Sequence, residues 1–133
     1  MIIKKYEKYI PGEIISLYKS VGWTAYTDEP ETLRRGFEKS LLVLAAYDGG
    51  ELLGLIRCVG DGETVVFVQD ILVFPEYQRR GIGSALLREV LETYKSVRQI
   101  ELCTDDTPET VAFYRAMGFR EMSELGCCCF MRI

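Results

Sequence analysis

Asp70-Ile71-Leu72-Val73-Phe74-Pro75-Glu76-Tyr77-Gln78-Arg79-Arg80-Gly81-Ile82-Gly83-Ser84 joins two kinds of periodicity in one segment. Upstream, Val65 to Phe74 is rich in Val, Ile and Phe and reads as a strand that Pro75 stops. From Gly81 to about Tyr94 the period becomes helical, with Ile82, Leu86 and Val90 on one stripe and Leu87, Leu91 and Tyr94 beside it. Between them lies a polar loop with two arginines, and two glycines open the helix. The first amides of a helix have no internal partner and the positive end of its dipole lies there, so this loop suits a phosphate or pyrophosphate. Gly81 and Gly83 let a ligand approach the backbone closely. A plain tight strand-to-helix turn accounts for the same residues equally well. Two other phosphate loops fit worse. No Lys-Ser pair follows Gly81, and Leu86 stands where a dinucleotide fingerprint needs its third glycine.

Working outward, Met1 to Tyr9 has a short strand-like start, and Pro11-Gly12 lead into a helix over Glu13 to Val21 that Gly22 closes. Glu29-Pro30-Glu31 open a second helix that runs to about Lys39. Leu41 to Tyr47 and Glu51 to Val59 are strands around the turn Asp48-Gly49-Gly50, and Gly60-Asp61-Gly62 turns into the strand Val65 to Phe74. Val97 to Cys103 is again a strand. Thr107 as cap with Pro108 behind it starts a helix that ends at Gly118. Phe119 to Ser123 and Cys127 to Ile133 read as a closing hairpin. The order is β-αα-βββ-α-β-α-ββ, an α/β (α+β) mixed sheet with helices on both faces, in a single domain over residues 1–133.

Composition narrows the chemistry. The 133 residues carry a net charge of −4, which argues against nucleic acid as a partner and suits an amine-bearing one. No apolar stretch is long enough to span a bilayer, so no membrane partner is expected, and the start lacks the pattern of a signal peptide. The expected compartment is the cytoplasm. No histidine is present, which removes His-activated nucleophiles and His-bearing zinc sites. The five cysteines are odd in number and read as reduced thiols. On a strand, Cys127-Cys128-Cys129 would point to alternate faces and could not converge on one metal, so buried or half-buried thiols and no metal are expected.

Gln78-Arg79-Arg80-Gly81-Ile82-Gly83 resembles the Gln/Arg-x-x-Gly-x-Gly/Ala signature of the GNAT N-acetyltransferase superfamily, with Ile71-Leu72-Val73-x-Pro-x-Tyr as its preceding strand. Ala112-Phe113-Tyr114-Arg115-Ala116-Met117-Gly118-Phe119 is similar to the family's second signature, Phe-Tyr-x-x-x-Gly-Phe. The element order matches from end to end.

The resemblance implies acetyl-coenzyme A lying between the strands Val65–Phe74 and Val97–Cys103, which would splay apart. The amides of Arg79, Arg80, Gly81, Ile82, Gly83 and Ser84 would hold the pyrophosphate, with Gln78 opening the loop. The main chain of Ile71, Leu72 and Val73 would pair with the pantetheine arm like an added strand, one amide facing the thioester oxygen. Phe113 belongs to the same cofactor side. Thr107 stands where many members have an asparagine that contacts the pantetheine arm, which makes it a candidate for cofactor binding, against the plainer reading of a helix cap. Tyr114 sits where the family places its general acid. A phenol is protonated at neutral pH, and Tyr114 is turned about 100° from Phe113, which pairs with Met117. Asp70 is a candidate base, against the plainer reading of an aspartate bonded to neighbouring backbone amides. The acceptor would lie against Gly22 to Glu29, where Trp23 and Tyr26 line a pocket or cover the core, and Asp28 or Glu29 attract the amine.

The expected activity is transfer of an acetyl group from acetyl-coenzyme A to a primary amine of a small molecule by direct attack. Acetylation of a protein N-terminus or lysine is the alternative among enzymes. An acyl-coenzyme A binding or sensing module without turnover is the alternative outside them. Dimerisation stays open.

Overall fold

Prolines at the first helical position begin three of the five helices in the computed structural model, which describes residues 1–133. There the missing N–H costs nothing and φ is already helical. Two compact units result, Met1–Cys103 and Thr104–Ile133.

The first unit contains strand β1 (Ile2–Lys5), helices α1 (Pro11–Ser20), α2 (Thr24–Thr27) and α3 (Pro30–Glu38), and strands β2 (Leu42–Asp48), β3 (Glu51–Gly60) and β4 (Val65–Val73). Helix α4 (Ile82–Thr93) and strand β5 (Gln99–Leu102) complete it. The five strands form one sheet in the order β1-β2-β3-β4-β5. All neighbours are antiparallel except β4 and β5, which the α4 crossover makes parallel.

Alternation along the strands distributes the core over two faces. Val43, Ala45, Leu55 and Leu72 pack with Ile14, Leu17 and Tyr18 of α1 and Leu33 and Phe37 of α3. The intervening Leu44, Ala46 and Ile56 are equally buried and lie outside that cluster. They turn to the other face, where α4 buries Ile82, Leu86, Leu87 and Val90 against β2, β3 and β4. Each fully buried Leu or Ile contributes about 1.5–3 kcal/mol. Close backbone approach also matters. A Cβ on Gly54 would lie 2.4 Å from the Leu72 carbonyl oxygen, so only glycine fits there.

β4 carries a bulge. Arg57 is opposite Asp70 and Cys58 is opposite Val68, leaving Gln69 as the extra residue. Pairing with β5 covers only Val65 to Val68, and from the bulge onward β4 has no strand on that side.

The second unit holds helix α5 (Pro108–Ala116) and a short 3₁₀ turn over Met122–Leu125. The expected strands Phe119–Ser123 and Cys127–Ile133 are absent. Arg115 binds Glu121 at 2.8 Å and Glu124 at 2.5 Å, and Gly126 in the left-handed region lets Cys127 N–H reach the Met122 carbonyl. These local bonds curl the segment, and strand propensity without a pairing edge does not prevail. Cys127, Cys128 and Cys129 are therefore exposed rather than buried on a strand. No helix is long and apolar enough to cross a membrane.

Candidate active site

The loop expected to bind phosphate begins where β4 loses its neighbour. Phe74 N–H donates to the Leu53 carbonyl of β3 at 3.0 Å, so by alternation the polar groups of Val73 and Ile71 point away from β3. The side-chain amide of Gln78 confirms the direction by donating to the Val73 carbonyl at 3.1 Å. Ile71 and Val73 thus present the open edge, while the groups of Leu72 belong to the ladder with β3. Gln78 itself ties the loop back to the strand.

Pro75–Tyr77 form a 3₁₀ turn, after which Arg79 takes φ +65° and Gly81 φ +80°. A left-handed non-glycine residue costs about 1–3 kcal/mol and concentrates at functional loops. Helix α4 starts without any side-chain cap, and its first internal bond is Ala85 N–H to the Gly81 carbonyl at 3.0 Å. The amides of Ile82, Gly83 and Ser84 consequently have no partner within the helix. Gly83 is helical, so its missing side chain serves space rather than conformation. Arg80 stacks on Tyr77 at 5.6 Å, and the Tyr77 hydroxyl donates to Glu51 at 2.7 Å, bracing the loop from the β2–β3 turn. An uncapped helix start beside an open strand edge fits a pyrophosphate followed by an amide-bearing arm.

Behind this edge lies a buried polar network. Asp70 is 2% exposed. Its Oδ2 accepts from the Tyr18 hydroxyl at 2.7 Å and from Arg57 Nε at 2.7 Å, and its Oδ1 accepts from the Tyr26 hydroxyl at 2.9 Å. Tyr26 also accepts from Gln69 Nε2 at 3.0 Å. Arg57 reaches Ser40 Oγ at 3.3 Å. Burial, then the Asp70 charge, pushes the Tyr18 phenol far above its ordinary range, so it remains a donor. The partners of Asp70 are side chains, not the backbone amides anticipated. Trp23 is half-buried, with its ring 6.1 Å from Tyr18 and 6.0 Å from Tyr26, in one aromatic cluster. Tyr18, Arg57 and Gln69 were not singled out from sequence. Yet Arg57 and Asp70 are the two lone opposite charges inside apolar strands, a signal for a buried pair.

In the second unit Thr107 Oγ1 accepts from Thr110 N–H at 3.3 Å, so it caps α5 as expected. Phe113 and Tyr114 do not separate as the helical offset suggested: their rings meet edge to face at 4.9 Å. Both are half-buried, and burial raises the Tyr114 phenol above its ordinary value. Gly118, at φ +93°, follows the helix. Its N–H bonds the Arg115 carbonyl and Phe119 N–H bonds the Tyr114 carbonyl, both at 3.0 Å. The Gly-Phe of the second motif is thus a helix stop. No group of His, Cys, Asp and Glu suited to a metal is present.

The sheet is mixed, its parallel pair opens at a bulge, and an uncapped Gly-x-Gly helix follows. The family model described as "Acetyltransferase (GNAT) family" matches residues 12–119, so the chain belongs to the GNAT acetyltransferase family. A GNAT-family acetyltransferase structure from Streptococcus pneumoniae is 42% identical, with TM-score 0.89 over 99% of this chain and 96% of that one. The PaiA N-acetyltransferase of Thermoplasma acidophilum, solved with coenzyme A, shares the fold at TM-score 0.71 and 20% identity over 90% of this chain and 91% of that one. Among curated relatives, the N-alpha-acetyltransferase RimI of Mycobacterium tuberculosis is 39% identical over 59% of this chain and 52% of its own length. Serotonin N-acetyltransferase 2 of rice is 31% identical over 81% of this chain and 55% of its own. The chain spans roughly half to two-thirds of the length of such relatives.

Proposed function

We propose that this chain transfers an acetyl group from acetyl-coenzyme A to the primary amine of a small molecule. The observation that carries the reading is the run of uncapped amides at Ile82, Gly83 and Ser84 next to the unpaired edge of Ile71 and Val73. When bound, acetyl-coenzyme A supplies an activated acetyl thioester. The α4 amides and the left-handed turn at Arg79 and Gly81 hold its pyrophosphate, with Arg80 alongside. The open edge of β4 aligns the pantetheine arm, and an N–H of Ile71 or Val73 stabilises negative charge as it develops on the acyl oxygen. Tyr114, kept protonated by burial, gives its proton to the departing thiolate. The ammonium loses one proton to solvent before the neutral amine attacks the acyl carbon; as the C–S bond breaks the nitrogen loses a second, which solvent returns to the Tyr114 phenolate, and no acyl-enzyme forms. Cys58 is unsuited to carry an acyl group, because burial pushes its thiol up to about 12 and no histidine exists to activate it.

The likeness to an N-alpha-acetyltransferase favours a second reading, acetylation of a protein N-terminus. A competition of small amines against a short peptide, with products identified by mass, separates the two. Acetyl on the small amine is expected. Acetyl on the peptide alone overturns the substrate class.

A further inference from the structure

The Asp70 carboxylate sits at the foot of the open β4 edge, where a base would be sought, yet its donors come from every side. Tyr18 and Arg57 occupy one oxygen and Tyr26 the other, and the group is almost fully buried. On its Oδ1 side the donor is the Tyr26 hydroxyl. That hydroxyl spends its proton on Asp70 and accepts a bond from Gln69, whose side chain is exposed.

The geometry explains how these partners meet. The bulge places two consecutive residues, Gln69 and Asp70, opposite Arg57 alone, and both engage the same hydroxyl on α2. Helix α2 has only four residues and buries none of them. Too short to be stable by itself, it depends on tertiary anchors. Tyr26 supplies two, and the ring contact with Tyr18 at 5.1 Å supplies a third. Trp23 immediately precedes α2, so the same bonds set the place of both aromatic side chains.

We propose that Asp70 is a positioning residue and not the proton acceptor: with Gln69 it pins the Tyr26 hydroxyl and so fixes α2 as a wall of the acceptor site. Arg57 neutralises the buried carboxylate, so Asp70 adds no net charge to that wall. The role rests on the acetyltransferase reading, in which the α1–α2 segment flanks the amine.

The test uses Tyr26→Phe and Gln69→Ala, which remove the bonds but leave the buried charges paired, and a neutral double variant, Asp70→Asn with Arg57→Gln. In Tyr26→Phe the KM for the amine should rise about five-fold, the scale of one hydrogen bond, with KM for acetyl-coenzyme A moving less than two-fold. Exchange of the Asp28 N–H, which bonds Thr24 across α2 at 2.8 Å, should accelerate in the same variant. The neutral double variant should show the same rise in KM and keep the pH profile of kcat/KM. An unchanged amine KM and Asp28 exchange in Tyr26→Phe would overturn the pinning role. A hundred-fold loss of kcat in the double variant, with the acid limb of the profile gone, would make Asp70 the base. The exchange measurement needs no turnover, so it stands apart from any failure of the parent protein to acetylate an amine.

Discussion

Phe119 holds Tyr114 twice: its N–H donates to the Tyr114 carbonyl at 3.0 Å, and its ring meets the tyrosine ring edge to face at 5.8 Å. The glycine between helix and phenylalanine makes this possible by entering the left-handed region. α1 ends in the same way, with Gly22 at φ +80° and Trp23 N–H bonded to the Tyr18 carbonyl, their rings 6.1 Å apart. The two helices thus stop by one device, which fixes the ring of the tyrosine in the last turn.

Tyr114→Phe keeps both contacts and removes only the hydroxyl. Turnover in the chemical step should fall about 10²- to 10³-fold, with melting temperature and acetyl-coenzyme A affinity little changed. A proton donor fails as pH rises through its own pKa. Burial raises that of Tyr114, so the alkaline limb it governs should lie above pH 10, the ordinary phenol value, and vanish in the phenylalanine variant. A parental single-turnover rate in Tyr114→Phe assigns the proton to water or another group.

Gly118→Ala places a Cβ where φ is +93°. The left-handed conformation costs an L-residue about 1–2 kcal/mol. The Phe119 N–H should exchange faster, and turnover should fall because Tyr114 loses its clamp. Unaltered exchange at Phe119 would show that the helix stop does not depend on the glycine.

Gly83→Val fills the space before the unpartnered amides of α4 without demanding an unusual φ. Acetyl-coenzyme A affinity, measured by calorimetry, should drop at least ten-fold while the circular dichroism spectrum is retained. Equal affinity in a folded variant removes this helix start from the site.

Gly54→Ala tests the spacing of β3 and β4. The new methyl would lie 2.4 Å from the Leu72 carbonyl oxygen, and such overpacking typically costs about 1–3 kcal/mol. A lower urea midpoint at constant slope is expected, and an unchanged midpoint would mean the strands yield freely.

Much of this was legible because the signals are local. Pro11, Pro30 and Pro108 mark helix starts, Asp48-Gly49-Gly50 a hairpin, and Gly81 the entry to α4, each through the conformation of one or two residues. The bulge at Gln69 left no such mark, since a strand with one extra residue has the composition of any strand. The partners of Asp70 come from 13, 44 and 52 residues away, so only the folded sheet reveals them. The tail misled for the reverse reason. Cys127 to Ile133 has apolar strand-like composition, but a strand exists only where an edge accepts it, and the Arg115 ion pairs curl the chain before it.

The central claim is direct acetyl transfer to an amine, and a quenched single-turnover experiment tests it most directly. Excess protein is mixed with acetyl-coenzyme A and a panel of small primary amines, and free coenzyme A, acetylated amine and intact protein mass are followed together. Coenzyme A should appear only when amine is present, at the same rate as acetylated product, with the protein mass unchanged throughout. Release of coenzyme A before product, with an acetyl group on the protein, or binding without release for every amine, would contradict it.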